Sequence, residues 1–295
     1  MTVAYRADTG TLLADSVSGA QSISFPGTLP QVDDIVVAGG TMFTNATRTS
    51  TITDNRNSPY VFDVRKYTQA SSSASEATIA SVKVAVSASP YTVSFDTTLA
   101  GSYYVVGAIA FSGVNTTTRL DVVASASAED INKSSQVTGT TGAIALTDSV
   151  AVIVLAVDCS GNVLTLTDSG FTIPIKEVDG SVHAVGGLGY KVGLSAGAQA
   201  ETWTYGQTGG ASTDDHAAGI AVYKGTNPVI YSKLYSNGQF FVTNLVEAGA
   251  SPKLYANGTY SAPILVESLN IDSVTGLSIR HYANGTSEHL SLRET

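Results

Sequence analysis

The chain reads as all-β: an antiparallel β-sandwich of jelly-roll-like type over residues 1–225, then a small β-hairpin domain over 226–295. Three observations predict this. Short apolar or alternating segments recur at regular spacing, each bounded by Gly, Pro, Asn or Asp. Charged residues make up only 13% of the chain, while Ser, Thr, Gly, Ala and Val dominate, which is the vocabulary of stacked sheets. Near the end, one phrase built on Asn-Gly occurs three times.

The segments follow in order. Ile35-Val36-Val37-Ala38 ends at Gly39-Gly40, and Thr49 to Thr53 runs into the turn residues Asp54-Asn55-Arg56-Asn57. The Ser71 to Ser75 stretch is low in complexity and reads as a mobile loop. Val82, Val84 and Val86 alternate with Lys83 and Ala85, which predicts one buried and one wet face; Tyr91, Val93 and Phe95 repeat the pattern after Pro90. Tyr103 to Phe111 and Val150 to Val157 are apolar throughout, apart from Gly107, and read as central strands covered on both sides. Ser160-Gly161-Asn162 turns the chain into Val163–Thr167. Glu201–Tyr205 and Gly219–Tyr223 read as the last strands of this unit, with a loop at Gly209–Asp215 between them. No segment carries the apolar period and capping residues of an amphipathic helix. Lys224-Gly225-Thr226-Asn227-Pro228 is the expected domain boundary.

Beyond it, Lys233-Leu234-Tyr235-Ser236-Asn237-Gly238 returns as Lys253-Leu254-Tyr255-Ala256-Asn257-Gly258 and as Arg280-His281-Tyr282-Ala283-Asn284-Gly285. Each copy places a Leu eight positions after its Asn (Leu245, Leu265, Leu292) and a Glu ten after it (Glu247, Glu267, Glu294). Asn-Gly tolerates positive φ at both central positions of a type I′ turn, so each copy predicts a two-residue hairpin. That register sets Tyr235 opposite Phe240 and Tyr255 opposite Tyr260; in the third copy Tyr282 meets Ser287 and His281 meets Glu288. Cross-strand aromatic pairs contribute roughly 0.2–1 kcal/mol each. A lone hairpin is marginal in water, so these hairpins are expected to pack on each other, on the preceding domain or on another chain.

Composition narrows the partners. A net charge of −9 argues against wrapping nucleic acid and against an anionic membrane surface. One cysteine, Cys159, allows neither an intrachain disulfide nor a cysteine-based zinc site. Met1–Asp8 lacks the layout of a signal peptide, and the longest apolar run is far below the roughly 20 residues of a membrane span. The expectation is a soluble product made in the cytoplasm, which leaves later incorporation into a larger assembly open.

Several pieces of the first domain together carry a resemblance. They are Ile35-Val36-Val37-Ala38, Ile52-Thr53-Asp54-Asn55-Arg56-Asn57-Ser58-Pro59-Tyr60, Ala110–Asp121 (Ala-Phe-Ser-Gly-Val-Asn-Thr-Thr-Thr-Arg-Leu-Asp), Ser149 to Val157, the Trp203 strand and Ala221-Val222-Tyr223-Lys224. As a set, over residues 20 to 225, they resemble a β-sandwich module of bacteriophage virion proteins and bacterial surface proteins. The tail phrase resembles the Leu-Tyr-Ala-Asn-Gly-Thr…Glu endings of phage structural proteins, with three copies here where one terminal copy is usual. The resemblance implies a virion protein without catalytic residues, bound to other phage structural proteins of capsid or tail. It also implies a homo-oligomer, with threefold symmetry.

Candidate sites weigh as follows. Asp214-Asp215-His216 has the chemistry for a divalent ion or acid–base work, against a solvated loop leading into a strand. Asp54, Asn55 and Asn57 offer oxygen ligands for calcium, and are equally what turns use for their own backbone. Gly186–Gly193 lacks the spacing of a phosphate loop and reads as a strand edge or glycine-rich connection. Cys159 has no nominated His among His183, His216, His281 and His289, and reads as a structural thiol. Trp203 with Tyr205 is the candidate glycan platform, against a core reading for alternate residues of one strand. Asn257-Gly258-Thr259 and Asn284-Gly285-Thr286 match a glycosylation pattern but read as hairpin chemistry.

No catalytic, metal or cofactor residue is nominated. The expected function is a non-enzymatic structural protein outside a phage particle, a capsid decoration or head fibre, with a tail component next. Subunit contacts are expected at Lys233, Tyr235, Asn237, Gly238, Glu247, Lys253, Tyr255, Asn257, Gly258, Glu267, Arg280, Tyr282, Asn284, Gly285 and Glu294. Lys233, Lys253 and Arg280 would meet the three Glu of a neighbouring copy; exposed pairs contribute only about 0–1 kcal/mol, so Tyr and Leu burial would supply most of the affinity. The alternatives are a tail adhesin holding host glycans and a polysaccharide depolymerase, for which no carboxylate pair stands out.

Overall fold

The computed structural model describes residues 2–44, 50–57, 59–70, 73–97, 102–128, 135–144, 148–158, 163–167, 170–177, 184–208, 215–226, 230–236, 239–245, 255–256 and 259–260. Every regular element among them is a strand, and every pairing is antiparallel. The chain divides into two compact units, Met1–Thr226 and Asn227–Thr295.

The first unit opens with β1 (Ala4–Asp8), β2 (Leu12–Val17), β3 (Gln21–Ser24), β4 (Ile35–Thr44) and β5 (Ser50–Asp54). It continues with β6 (Val61–Ala70), β7 (Ser73–Lys83), β8 (Thr92–Thr97) and β9 (Ser102–Ser112). These form a large sheet in the order β1-β9-β4-β7-β6, with β2 following β1 along the same edge of β9, and a small sheet β3-β8-β5. Taking β1 and β2 as one edge strand, this is the strand order of a jelly roll, except that β6 stays beside its hairpin partner β7 instead of joining β5.

The same plan then repeats. The strands are β10 (Leu120–Ala128), β11 (Ser135–Val137), β12 (Ala143–Ile144), β13 (Ser149–Asp158) and β14 (Val163–Thr167), then β15 (Thr172–Glu177), β16 (Ala184–Val192), β17 (Gly197–Ala198), β18 (Thr202–Thr208) and β19 (Asp215–Lys224). The large sheet runs β10-β19-β13-β16-β15 and the small one β11-β18-β14, with β12 pairing β17. The sequence reading took residues 1–225 as one sandwich; the structure resolves two jelly rolls in tandem. Irregularities repeat too. Tyr5 pairs Phe111 just before a register shift in β1, as Leu120 pairs Tyr223 just before one in β10. β6 slips between Phe62 and Val64, and β15 between Thr172 and Ile175. The last strands share a spacing, Gly107-Ala-Ile-Ala-Phe-Ser-Gly113 and Gly219-Ile-Ala-Val-Tyr-Lys-Gly225.

Four layers result, with the two large sheets face to face. Ile35, Val37, Ile79, Ile109 and Phe111 interdigitate there with Val150, Val152, Val154, Leu188 and Tyr223. The opposite faces of the large sheets meet their small sheets: Val36, Ala38 and Val82 pack on Val93 and Phe95, and Ile153, Leu155 and Val157 pack on Trp203. This accounts for the apolar runs. β4, β9 and β13 sit inside a sheet and are covered on both faces, so nothing in their packing calls for polar alternation. β8 has one covered face, and Tyr91, Val93 and Phe95 are all fully buried. The expected alternation through Val86 stops early: β7 ends at Lys83, Val84 is buried and Val86 is exposed. Ser73 to Ser75, expected in a loop, lie in β7, where Ser75 is buried against the second jelly roll's side of the sheet; residues 71–72 lie outside the described residues.

Polar ties cross between the jelly rolls, among them the Lys176 amide donated to Thr11 Oγ1 at 3.0 Å. Thr41 donates its Oγ1 hydrogen to the Leu155 carbonyl at 2.8 Å. A Cβ on Gly186 would collide with Thr41 Oγ1 and the Leu155 carbonyl, so this strand position admits only glycine. Gly186–Gly193 thus lies in β16, an interior strand paired on both sides, and its exit, rather than in a strand edge or a glycine-rich connection.

The second unit contains β20 (Ile230–Ser236), β21 (Gln239–Leu245), β22 (Tyr255–Ala256) and β23 (Thr259–Tyr260). β20 and β21 pair with Ser236 opposite Gln239, Tyr235 opposite Phe240 and Lys233 opposite Val242. β22 and β23 pair with Tyr255 opposite Tyr260. This is the register that two-residue connections dictate. The third copy of the phrase lies outside the described residues.

Because one core is shared by both jelly rolls, a fragment ending at Thr226 should unfold in a single calorimetric transition with equal calorimetric and van't Hoff enthalpies. Gly186→Ala should lower its stability by about 1–3 kcal/mol in urea titrations, the range expected for forcing a methyl group into a packed site.

Candidate functional site

The repeat makes equivalent positions easy to identify. Phe111 pairs Ile35 as Tyr223 pairs Val150, so the two aromatic residues occupy one position in the two copies. By the same registers Tyr5 corresponds to Leu120, and Ser81, opposite Val37, corresponds to Tyr190, opposite Val152. The rim of the shared core is therefore built twice, from different residues.

One rim is polar. Tyr223 donates its hydroxyl to Asp63 Oδ2 at 2.6 Å, and Ser81 Oγ donates to the same oxygen at 2.5 Å. Arg119 Nε donates to Ser81 Oγ at 2.7 Å. The network joins β6 and β7 to the second jelly roll. Burial pushes the Asp63 carboxyl above its ordinary 3.8, and this outweighs the opposing pull of Ser81, Tyr223 and Arg119. Burial first, then the nearby Asp63 charge, pushes the Tyr223 phenol well up, so it stays a donor.

The other rim is aromatic. Tyr190 meets Phe111 edge-on, with centroids 5.4 Å apart and rings at 71°. Tyr5 lies flat on Tyr190, at 5.1 Å and 2°. Its hydroxyl donates to Asp8 Oδ2 at 2.6 Å, and Asp8 Oδ1 accepts the Gly10 amide at 2.8 Å. Tyr5 stays 41% exposed.

The positions nominated from sequence fall as follows. Asp54 Oδ1 accepts the amides of Arg56 (2.7 Å) and Asn57 (2.5 Å), and Oδ2 accepts the Tyr91 hydroxyl at 2.8 Å. Asn57 Oδ1 accepts the amides of Ala85 and Val86, and Asn55 Oδ1 that of Thr92. These oxygens face N–H and O–H donors, so the cluster is a turn that pins the β7–β8 connection rather than a calcium cradle. Asp215 and His216 are no solvated loop: both are buried in β19, opposite Asp158 and Val157 of β13, because the ladder runs to its first residue; Asp214 lies outside the described residues. Trp203 is fully enclosed between β13, β19 and its own sheet, so it has no face to offer a sugar, and the glycan reading of Trp203 is corrected to core. The Tyr205 side chain and Cys159 lie outside the described residues. Of the expected assembly residues, Lys233, Tyr235 and Tyr255 lie on the paired strands above; Asn237, Gly238, Glu247, Lys253, Asn257, Gly258, Glu267, Arg280, Tyr282, Asn284, Gly285 and Glu294 lie outside the described residues.

Two features escape the sequence reading. Glu76, almost wholly buried, accepts Arg65 Nε at 2.8 Å and Ser50 Oγ at 3.0 Å, while Arg65 lies 3.8 Å over the Phe62 ring. The paired rims are the other. A comparison of the chain with itself would have exposed them, through the matching glycines of β9 and β19. Among the described residues no group of three or more His, Cys, Asp or Glu is placed to hold a metal ion.

Comparison with protein-family models, curated proteins and solved structures finds no match for this chain.

The raised Asp63 carboxyl has a definite sign. Between 3.8 and its folded value the native state binds more protons than the unfolded one, so this group's contribution to stability falls as pH rises through that window. Replacing Asp63→Asn should remove that slope, seen as a difference between wild-type and variant urea midpoints across acid pH. Asp63→Ala leaves the Tyr223 hydroxyl buried without its acceptor, and should cost about 1–3 kcal/mol at neutral pH.

Proposed function

We propose that this chain is a non-enzymatic structural protein on the outside of a bacteriophage particle, a capsid decoration or head fibre. In this reading the double jelly roll is a stiff body, and the terminal hairpins carry the contacts with sister subunits and with other virion proteins. The observation that carries it is the hairpin register: Tyr235 opposite Phe240 and Tyr255 opposite Tyr260 recur in a phrase repeated along the chain end. Two-stranded hairpins of this kind are marginal alone in water and are completed by another surface. The family resemblance of the phrase supplies the phage setting and a threefold homo-oligomer. Lys233, Lys253 and Arg280 set the register against Glu247, Glu267 and Glu294 of a neighbour, while Tyr and Leu burial supplies the affinity.

The first unit supports a structural role in a different way. Asp54, Asp63, Thr41 and Glu76 each make ties within it. A tail component is the next reading, and an adhesin there needs a surface other than the enclosed Trp203.

Thr226 donates its amide to the Gly113 carbonyl at 2.9 Å, so a chain ending at Thr226 keeps the whole first unit. That fragment should fold, with near-UV circular dichroism matching the first unit, yet remain monomeric in light scattering and be absent from particles imaged with it. Particle occupancy equal to that of the full chain would refute the role given to the hairpins.

A further inference from the structure

We propose that the outer face of the Tyr5 ring, backed by Tyr190 and flanked by Asp8, binds the apolar face of a neutral hexopyranose. The internal repeat supplies the comparison. At the equivalent rim of the second copy a leucine, Leu120, covers Tyr223, so closing the shared core does not need an aromatic ring there. The first copy instead sets two tyrosines flat on each other, from facing sheets, and leaves Tyr5 41% exposed.

The geometry suits a sugar. Tyr5 is held from behind by Tyr190 and at its tip by the 2.6 Å hydrogen bond to Asp8, so little freedom is lost when a ligand lands on it. A pyranose presents C–H groups on one face and hydroxyls round its edge. The first match an aromatic face; the second need acceptors beside it. Asp8 uses one lone pair of each oxygen, on Tyr5 and on Gly10, out of about four positions that a carboxylate offers. That leaves acceptors at the ring's edge. Asp8 and the net charge of −9 disfavour an anionic ligand. Two parallel rings also present a single flat face, unlike the several faces of a cage for a quaternary ammonium. The site does not depend on whether the chain sits on a head or a tail.

Saturation-transfer NMR on the full chain tests this, using methyl glycosides of glucose, galactose, mannose and N-acetylglucosamine, with choline and sialic acid as charged comparators. At least one neutral glycoside should receive saturation on the protons of one ring face. Tyr5→Leu, which installs the residue of the second copy, should weaken that binding about tenfold or more while leaving the thermal midpoint near wild type. Tyr5→Phe should keep most of it, and Asp8→Asn should weaken it. No transfer to any neutral glycoside overturns the proposal. So does transfer unchanged in Tyr5→Leu, or preference for choline or sialic acid. None of these outcomes bears on particle assembly through the hairpins.

Discussion

The constraint on which the first unit depends is that both faces of two large sheets must be covered at once. Each jelly roll covers one face of its large sheet with its own small sheet. The other face, carrying Ile35, Val37 and Ile109 in one copy and Val150, Val152 and Val154 in the other, can only be covered by its twin. Full burial of such side chains contributes roughly 1.5–3 kcal/mol each. A single copy in water would expose a whole sheet of them, which explains why two copies are fused and share one core.

Fusion also frees the copies to diverge. In a symmetric dimer of single jelly rolls, both rims of the shared core would carry the same residues. Here one rim carries Asp63, Ser81, Arg119 and Tyr223, a buried polar lock whose geometry fixes how the sheets meet. The other carries Phe111, Tyr190 and Tyr5, an aromatic stack that reaches the surface. Equivalent positions thus serve different ends: Ser81 holds the polar lock, whereas its counterpart Tyr190 backs the exposed Tyr5 ring. Thr41, passing its hydrogen bond to Leu155 where Gly186 makes room, adds a further point of registration.

A body built this way suits a protein whose proposed role is to be placed and held rather than to move. The polar ties described in it link strands and connections to each other, and the exposed Tyr5 face is stiffened from behind. In the proposed role the terminal unit works by another principle: its short hairpins, whose cross-strand aromatic pairs contribute little alone, would be completed by contact. The stiff body and the adhesive end divide the proposed labour between them.

Much of this was legible in the sequence. The all-β class follows from alternation and turn residues, because side-chain period and turn chemistry are local properties. The hairpin register follows from Asn-Gly, since a two-residue connection leaves one way to pair Tyr235 with Phe240. The apolar runs at Tyr103–Phe111 and Val150–Val157 announced strands covered on both sides. What covers them was not legible, because an apolar run specifies burial without naming its partner. That left Trp203 ambiguous between platform and core until β13 and β19 were seen to enclose it. It left Asp215 and His216 in a loop, although the ladder carries them into the interior. It also hid both rims, whose members, such as Asp63 and Tyr223 or Tyr5 and Tyr190, lie far apart along the chain and meet only when two sheets stack. Local chemistry fixed the elements; long-range packing alone decided which of them face each other.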